Sequence, residues 1–306
     1  MKALIPTGNL NEMVRLADVD EPQPAADEIV IAVEAFSINR GETFQLESPQ
    51  RCWRPGKDVA GRVIRAAADG TGPRVGMRVV GHPPKNGWAE RAAIPATKVA
   101  VLPDTLNSAT AAALPLAGLT AIRLLRSAGS VTGKRILMTG AAGGVGHFFT
   151  ELATAAGADV TVVVRKRERG ERLSELGAQT VVTEVASAAP NMDVVLESIG
   201  GRSLSDGVTR LVPRGLLVWF GQASRNPATL DFFSFFDHHQ SATIRHFDYT
   251  DSDVSDADDL ATLVRLTASG RLHPEIGSVS SWAETAARLA DLRDGRIRGK
   301  SVLQLT

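Results

Sequence analysis

Short runs of hydrophobic residues, separated by stretches of helical pattern, dominate the middle of the chain. The runs RILMT, DVTVVV, TVV, DVVLE and LLVWF lie between residues 135 and 220, and each is long enough for one strand. Their hydrophobic residues are consecutive rather than alternating, which is typical of strands buried on both faces of a parallel sheet. We therefore predict an α/β fold with a doubly wound parallel sheet over this part of the chain.

The first hundred residues have a different pattern. Hydrophobic and polar residues alternate over 28–35 (EIVIAVEA) and again over 59–66, as they do in half-buried strands. Glycine and proline recur at short intervals between residues 55 and 84. This punctuation favours a small antiparallel β domain.

Two further segments suggest how the domains are connected. Asn107 or Ser108 is placed to cap an alanine-rich helix that is interrupted near Pro115. Residues 256–270 and 281–295 have helical patterns, and SVLQL at 301–305 resembles a final strand. We expect this tail to return to the N-terminal β region, which would make that domain discontinuous.

Composition limits the possible classes of protein. The 306 residues are 43% hydrophobic, and 34 basic residues balance 34 acidic ones, so bulk charge favours neither a nucleic acid nor a membrane partner. Cys52 is the only cysteine, which rules out an intramolecular disulfide and a four-thiolate zinc site. With no signal-like N-terminus and no run long enough to span a bilayer, we expect a cytoplasmic protein.

A glycine-rich turn follows the first strand of the predicted parallel sheet. The segment 140–146 (GAAGGVG) places a dinucleotide-binding fingerprint on Ala141, Gly143 and Gly146, ahead of a helical stretch. A pyrophosphate could approach the backbone at Gly143, and Gly146 would let the helix lie close to the strand. The free N–H groups at the helix start would then face the phosphates. An ordinary tight turn is the alternative, but the strand–turn–helix–strand context favours cofactor binding by Ala142, Gly143, Gly144, Val145 and Gly146.

The next strand ends in a basic cluster, Arg165-Lys166-Arg167-Glu168-Arg169. NAD-binding units usually carry a carboxylate here, which bonds the ribose 2′-hydroxyl and would repel a 2′-phosphate. Guanidinium groups instead form paired, charge-assisted bonds with phosphate. Arg165, Lys166 and Arg169 therefore favour NADPH, although a solvated basic surface would look the same in sequence.

Taken in order, the motifs resemble the zinc-independent quinone oxidoreductase branch of the medium-chain dehydrogenase/reductase superfamily. The resemblance covers nearly the whole chain and rests on these segments: SINRGE (37–42), PGKDVAG (55–61), VGMRVVG (75–81), GWAERAAIP (87–95), AAALPLAGLTA (111–121), TGAAGGVG (139–146), DVVLESIGG (193–201), LVPRGLLVWFG (211–221) and GKSVLQL (299–305).

The resemblance implies a domain organisation. It predicts a GroES-like β domain over residues 1–107 and 249–306, and a Rossmann domain over 108–248. It also implies NADPH in the cleft between them, a small-molecule substrate and a homodimer, often formed through the edge strands of the Rossmann sheets.

The same resemblance bears on metal. Zinc alcohol dehydrogenases of the superfamily carry a Cys ligand where this chain has Asn39, and Gly-His-Glu where it has Gly56-Lys57-Asp58. A protonated lysine has no lone pair to offer, and an Asn amide is a poor zinc ligand. We therefore expect no metal.

Without zinc to stabilise an alkoxide, an electron-poor acceptor fits better than an alcohol. We expect hydride transfer from NADPH to a quinone or an α,β-unsaturated carbonyl. Asn39 would donate to the developing enolate, unless it is simply a turn residue. Thr120 matches a family position near the nicotinamide, unless its hydroxyl bonds to its own helix.

Other cofactor contacts are expected where strands end. Gly200, Phe220 and Gly221 follow strands of the predicted sheet, at the edge where such sheets bind ligands. In the resembling family a Ser, a Lys and a Tyr often hold the 2′-phosphate. Arg169 stands where that Lys usually is, and Glu184 where the Tyr is expected, so this end of the site is remodelled.

Two alternatives remain open. The chain could be an alkenal or enoyl-thioester double-bond reductase, or a non-catalytic NADPH-binding sensor or structural protein. The aromatic residues Phe44, Trp53, Trp88 and Phe232–Phe236 could line an apolar pocket, although such residues are more often core.

Overall fold

A computed structural model describes residues 1–305. The chain forms two compact units. The first contains Met1–Leu119 and the segment that begins at Asp253, and the second contains Thr120–Ser252. Among the described residues, no helix has the length and apolar character needed to cross a membrane.

Strands and helices alternate along much of the described chain. The strands are β1 (Lys2–Pro6), β2 (Val14–Asp18), β3 (Glu28–Ile38), β4 (Asp58–Arg65), β5 (Arg78–Gly81), β6 (Arg91–Pro95), β7 (Val99–Val101), β8 (Arg135–Met138), β9 (Asp159–Val163), β10 (Thr180–Val182), β11 (Met192–Glu197), β12 (Leu211–Trp219), β13 (Thr243–His246), β14 (Ile276–Ser281) and β15 (Lys300–Gln304). The α-helices are α1 (Arg40–Glu47), α2 (Ser108–Ala112), α3 (Pro115–Ser127), α4 (Gly144–Ala155), α5 (Glu171–Glu175), α6 (Arg202–Val208), α7 (Asp256–Ala268) and α8 (Thr285–Arg293).

The first unit is built on a seven-stranded sheet. Its order is β14-β15-β3-β4-β5-β7, with β6 also paired to β3, and β1 and β2 form a separate hairpin. Strand β15 lies antiparallel to β3, with Ser301 opposite Ile38 and Gln304 opposite Ala35. The prediction that the C-terminal strand returns to the N-terminal region is thus confirmed. Its core includes Phe36 stacked on Trp88, both fully buried.

The second unit is a six-stranded, wholly parallel sheet. Its order is β10-β9-β8-β11-β12-β13, so the strands, counted in chain order, run 3-2-1-4-5-6. This is the strand order of a doubly wound dinucleotide-binding sheet, and that prediction is confirmed. The five central hydrophobic runs are all strands. The sixth strand, β13, was not predicted because all four of its residues are exposed and no hydrophobic run marks it.

Three boundaries differ from the sequence prediction. The division between the units falls inside α3, and α2 packs on β3 and β4 of the first unit. Strand β12 begins at Leu211, ahead of the predicted run, with a register shift opposite β11 where Arg214 has a φ of 63°. Residues 282–284 form a 3₁₀ turn, so the predicted helix at 281–295 is shorter.

Candidate functional site

The carboxyl ends of the parallel strands collect the predicted cofactor residues at one edge of the second unit. The strand order reverses between β8 and β11, and in such sheets ligands bind in the crevice at that point. The glycine turn follows β8, the basic cluster follows β9, Gly200 follows β11, and Phe220 and Gly221 follow β12. The fold therefore brings these residues to a shared edge.

The glycine turn has the geometry that a pyrophosphate site requires. Gly143 donates its N–H to the Gly140 carbonyl (3.1 Å), and α4 begins directly after it. The N–H groups of Gly144, Val145 and Gly146 form the first turn of α4, where backbone donors have no partner within the helix. This leaves three donors and the positive end of the helix dipole for an anion.

Two glycines of this turn have different roles. A Cβ at Gly146 would lie 2.2 Å from the Ala141 carbonyl oxygen and 2.4 Å from its Cα, so this glycine is needed for packing the helix against the turn. A Cβ at Gly143 would meet only the Gly140 carbonyl oxygen, at 3.3 Å, and Gly143 is exposed. Ala142, which directly precedes Gly143, is buried.

The basic cluster has no internal counter-ion. Arg165, Lys166 and Arg167 are exposed and Arg169 is half-buried. Within residues 1–305 none of these side chains has a hydrogen bond or an ion pair. Cations that are concentrated at the end of a strand without a partner form a site for an external anion.

Glu184 lies just beyond β10 and is exposed. The family that this chain resembles often has a Tyr at this position. Strand β10 is the neighbour of β9 in the sheet. Glu184 therefore brings to the basic cluster only a carboxylate that is in contact with solvent.

A buried carboxylate that sequence reasoning missed organises the switch point. Glu197, at the end of β11, is fully buried and accepts hydrogen bonds from the hydroxyls of Thr139 (3.0 Å) and Ser203 (2.8 Å). It also accepts the N–H groups of Ile199 and Gly200, each at 2.9 Å. The residue thereby ties the end of β8 to the turn after β11. The only sequence signal was a charge that directly follows the apolar run Val194-Val195-Leu196.

The remaining predicted cofactor residues lie near this carboxylate. Gly200 has a φ of 75°, and its N–H is donated to Glu197. Phe220 donates its N–H to the Glu197 carbonyl (2.9 Å). A Cβ at Gly221 would lie 3.0 Å from the Ser198 carbonyl oxygen, so the two turns after β11 and β12 are in close contact.

In the first unit, Asn39 belongs to a buried polar cluster. It caps α1, and its Nδ2 donates to Asp58 Oδ2 (2.8 Å) and to Glu42 Oε2 (3.3 Å). Its Oδ1 accepts a hydrogen bond from Lys300 Nζ. Both amide hydrogens of the predicted enolate donor are thus directed at carboxylates, which the sequence did not indicate.

The charges of this cluster perturb one another. Burial opposes ionisation of Asp58, but the Lys300 ammonium at 3.0 Å, with His82 and Asn39, outweighs it and holds the pKa of Asp58 below its usual range. Burial and the negative charge of Asp58 raise the pKa of Glu42 to about 7. Lys300 was also missed in sequence, because its partner lies on a strand far away along the chain.

Lys57 lies next to Asp58, at the start of β4. Its backbone N–H is donated to Glu42 Oε1 (3.2 Å) and its carbonyl oxygen lies 2.7 Å from His82 Nδ1. Asp58 Oδ1 accepts the N–H of Leu116 (2.9 Å). The described residues contain no group of three or more His, Cys, Asp or Glu side chains arranged to hold a metal ion.

Thr120 is buried on α3 in the second unit. Of the candidate aromatic residues, Trp53 is partly buried against the first core, whereas Trp88 lies inside it. Phe232, Phe233 and Phe236 are largely exposed, and Phe232 makes edge-to-face contacts with the other two rings.

Several known proteins are similar to this chain in sequence and in fold. A family model described as "Zinc-binding dehydrogenase" matches residues 144–268. A chloroplast envelope quinone oxidoreductase homolog from Arabidopsis thaliana is 34% identical over 180 residues, 54% of this chain and 54% of the relative. A 2-methylene-furan-3-one reductase from Solanum lycopersicum is 31% identical over 213 residues, 63% of this chain and 55% of the relative.

These matches span little more than half the length of either curated relative. A solved structure gives wider coverage. A mycobacterial protein complexed with NADPH matches with a TM-score of 0.89 and 25% identity, over 99% of this chain and 100% of that one. The two units have the GroES-like and Rossmann folds, and the chain is similar to quinone oxidoreductases of the medium-chain dehydrogenase/reductase superfamily.

Proposed function

We propose that this protein is an NADPH-dependent, zinc-independent reductase that passes hydride to a quinone or an α,β-unsaturated carbonyl. The observation that carries the proposal is the unpartnered basic cluster after β9, next to the glycine turn at the switch point of the parallel sheet. The likeness to quinone oxidoreductases and the relatives' names support the reaction class.

The residues present suit NADPH. The N–H groups of Gly144, Val145 and Gly146 would hold the pyrophosphate, and Gly143 would let it approach the backbone. Arg165, Lys166 and Arg169 would hold the 2′-phosphate. Gly200, Phe220 and Gly221 would border the nicotinamide end, which supplies the hydride when the cofactor is bound.

The residues present do not suit a catalytic zinc ion. The Lys57 side chain is a cation and cannot bind zinc. The Asn39 side-chain oxygen already accepts a hydrogen bond from the Lys300 ammonium. The Asp58 carboxylate is already committed to protein donors, among them the Ser37 hydroxyl, the Asn39 amide, the Leu116 N–H and the Lys300 ammonium. The proposed reaction therefore uses no metal ion.

Hydride addition to a conjugated acceptor moves negative charge onto its oxygen. A polarised donor at that oxygen stabilises the transition state. We propose that Asn39 and Thr120 supply the polar groups around this oxygen. Asn39 would exchange its longer bond, the 3.3 Å one to Glu42, for the acceptor oxygen, while the 2.8 Å bond to Asp58 holds the amide plane.

An alkenal or enoyl-thioester double-bond reductase is the second candidate within the same site. The likeness to a 2-methylene-furan-3-one reductase favours it, because that name describes a conjugated ketone. A non-catalytic NADPH-binding protein is the alternative from another class.

The acceptor assay separates these possibilities. NADPH oxidation is followed by absorbance with 1,4-benzoquinone, 9,10-phenanthrenequinone and a 2-alkenal as acceptors. We expect turnover with the quinones, and faster turnover with the alkenal would favour the second candidate. Tight NADPH binding without turnover of any acceptor would refute the proposal that the protein is an enzyme.

Cofactor selectivity has its own prediction. We expect Arg165→Ala and Arg169→Ala to raise KM for NADPH by about tenfold each, with a much smaller change for NADH, because each removes a charge-assisted bond to the 2′-phosphate. Arg202→Ala, another exposed arginine of the same unit, is the control. Equal changes for both cofactors would show that the cluster is a solvated surface.

A homodimer is also proposed. Strand β13 ends the parallel sheet, and its four residues are exposed, so one side of its backbone is available to a second copy. Light scattering should give twice the mass of the chain, and Ile244→Lys on β13 should lower it.

A further inference from the structure

The first unit contains an open pocket that none of the proposed catalytic or cofactor residues lines. Its volume is about 320 Å³, within the range of small-molecule pockets. The apolar part of the wall is formed by Ile5, Pro6, Pro49 and Trp53. Trp53 also packs against the core of the unit, so its indole is a fixed wall. These walls suit a flat apolar body.

The polar part of the pocket is dominated by one cation. Arg54 lines it together with Gln50 and Cys52, and it is the only charged residue of the lining. Its side chain is half-buried and has no ion pair or hydrogen bond among residues 1–305. Burial lowers the pKa of Arg54, and no neighbouring carboxylate opposes that effect. The guanidinium has therefore lost hydration without gaining a counter-ion.

The backbone holds this arrangement in place. Trp53 donates its N–H to the Gln50 carbonyl (3.2 Å), which closes a tight turn, and Cys52 in that turn has a φ of 63°. A residue other than glycine rarely adopts this conformation, and such residues cluster at ligand sites. The Arg54 carbonyl in turn accepts the Asn86 N–H (3.0 Å). The cation is thus presented by a fixed loop.

We propose that this pocket binds a flat, conjugated carboxylate, and that Arg54 selects the anion. An isolated inorganic anion would leave the indole and the two prolines without a partner. A neutral flat molecule would leave the guanidinium unpaired.

Binding is tested without hydride transfer. Naphthalene-2-carboxylate and naphthalene-2-carboxamide have the same shape and differ in charge, and neither reacts with thiols. Calorimetry should show the carboxylate binding about tenfold or more tightly than the amide. Arg54→Gln should remove that preference, Arg54→Lys should keep part of it, and Arg65→Gln, an exposed arginine outside the pocket, should keep all of it. Unchanged carboxylate binding in Arg54→Gln, or inorganic phosphate binding as tightly as the naphthoate, would overturn the proposal.

Discussion

Asn39 shows what single residues do and do not reveal in the sequence. Its position, with Lys57 and Asp58, led to the expectation that the chain holds no zinc. The sequence could not indicate that Asn39, Glu42, Asp58 and Lys300 form one buried cluster, because their contacts join four separate segments. The sequence showed the chemical type of each side chain, but it did not show which other side chains it contacts.

The ionisation of Glu42 makes stability depend on pH. Its pKa is about 7 in the folded protein, against an ordinary value of 4.5. Between these values the folded state holds a proton that the unfolded chain has released, so stability is full below 4.5 and is lost as pH rises through about 7. We expect a loss on the order of 2 kcal/mol across this window.

The measurement is chemical unfolding followed by tryptophan fluorescence, in a Trp219→Phe background. The remaining tryptophans, Trp53, Trp88 and Trp282, all lie in the first unit. Glu42→Gln should flatten the pH dependence, and Glu12→Gln, an exposed control, should not. Asp58 acts in the opposite direction, since its stabilisation is lost only as pH falls below its ordinary value of 3.8. An equal slope in Glu42→Gln would show that another group titrates.

At the level of elements, hydrophobic pattern was sufficient for most of the fold. The continuous runs predicted the buried parallel strands, and the capping position of Asn107 is confirmed by its bond from the Thr110 N–H (2.8 Å). Strand β13 escaped prediction because an exposed edge strand needs no apolar run. Patterns report burial, so an element that buries little leaves little signal.

The glycine turn allows helix packing and cofactor binding to be separated. Gly146→Ala places a methyl group 2.2 Å from the Ala141 carbonyl oxygen, so α4 must shift, and we expect a destabilisation of about 2 kcal/mol. At Gly143 the φ of −84° suits alanine, and we expect a change in stability below about 1 kcal/mol.

NADPH binding should nevertheless weaken in both variants. In Gly143→Ala the methyl group would occupy the approach of the pyrophosphate, whereas in Gly146→Ala the donors of α4 would be displaced. Calorimetric titration with NADPH and thermal unfolding of the same samples make the comparison. Wild-type affinity in a stable Gly143→Ala protein would show that the pyrophosphate lies elsewhere.

For the whole molecule, the notable property is that the first unit is completed by the end of the chain. Strand β15 lies between β14 and β3, so the sheet cannot close until residues beyond the second unit have been added. The apolar pattern of SVLQL predicted the strand, and the family resemblance predicted its destination. Neither predicted that β15 brings with it the cation for a buried carboxylate.

The Asp58–Lys300 ion pair fastens that last strand to β4. Both side chains are buried, so removing one charge leaves the other uncompensated, and we expect Lys300→Met to destabilise the first unit by about 3 kcal/mol. Lys2→Met breaks an exposed pair with Asp18 at a similar distance and should cost less than about 1 kcal/mol. Calorimetric unfolding should show the loss in the first unit, with the transition of the second unit unmoved.

The double variant Asp58→Asn with Lys300→Met distinguishes an ion pair from lost packing. If charge is the cause, removing both partners should destabilise less than the sum of the single changes, because neither charge is then left buried alone. If the single effects simply add, Lys300 contributes through its aliphatic chain. In that case β15 is held in the sheet by its pairing with β3 and by the buried Val302 and Leu303. The Lys300 ammonium would then add no net stability of its own.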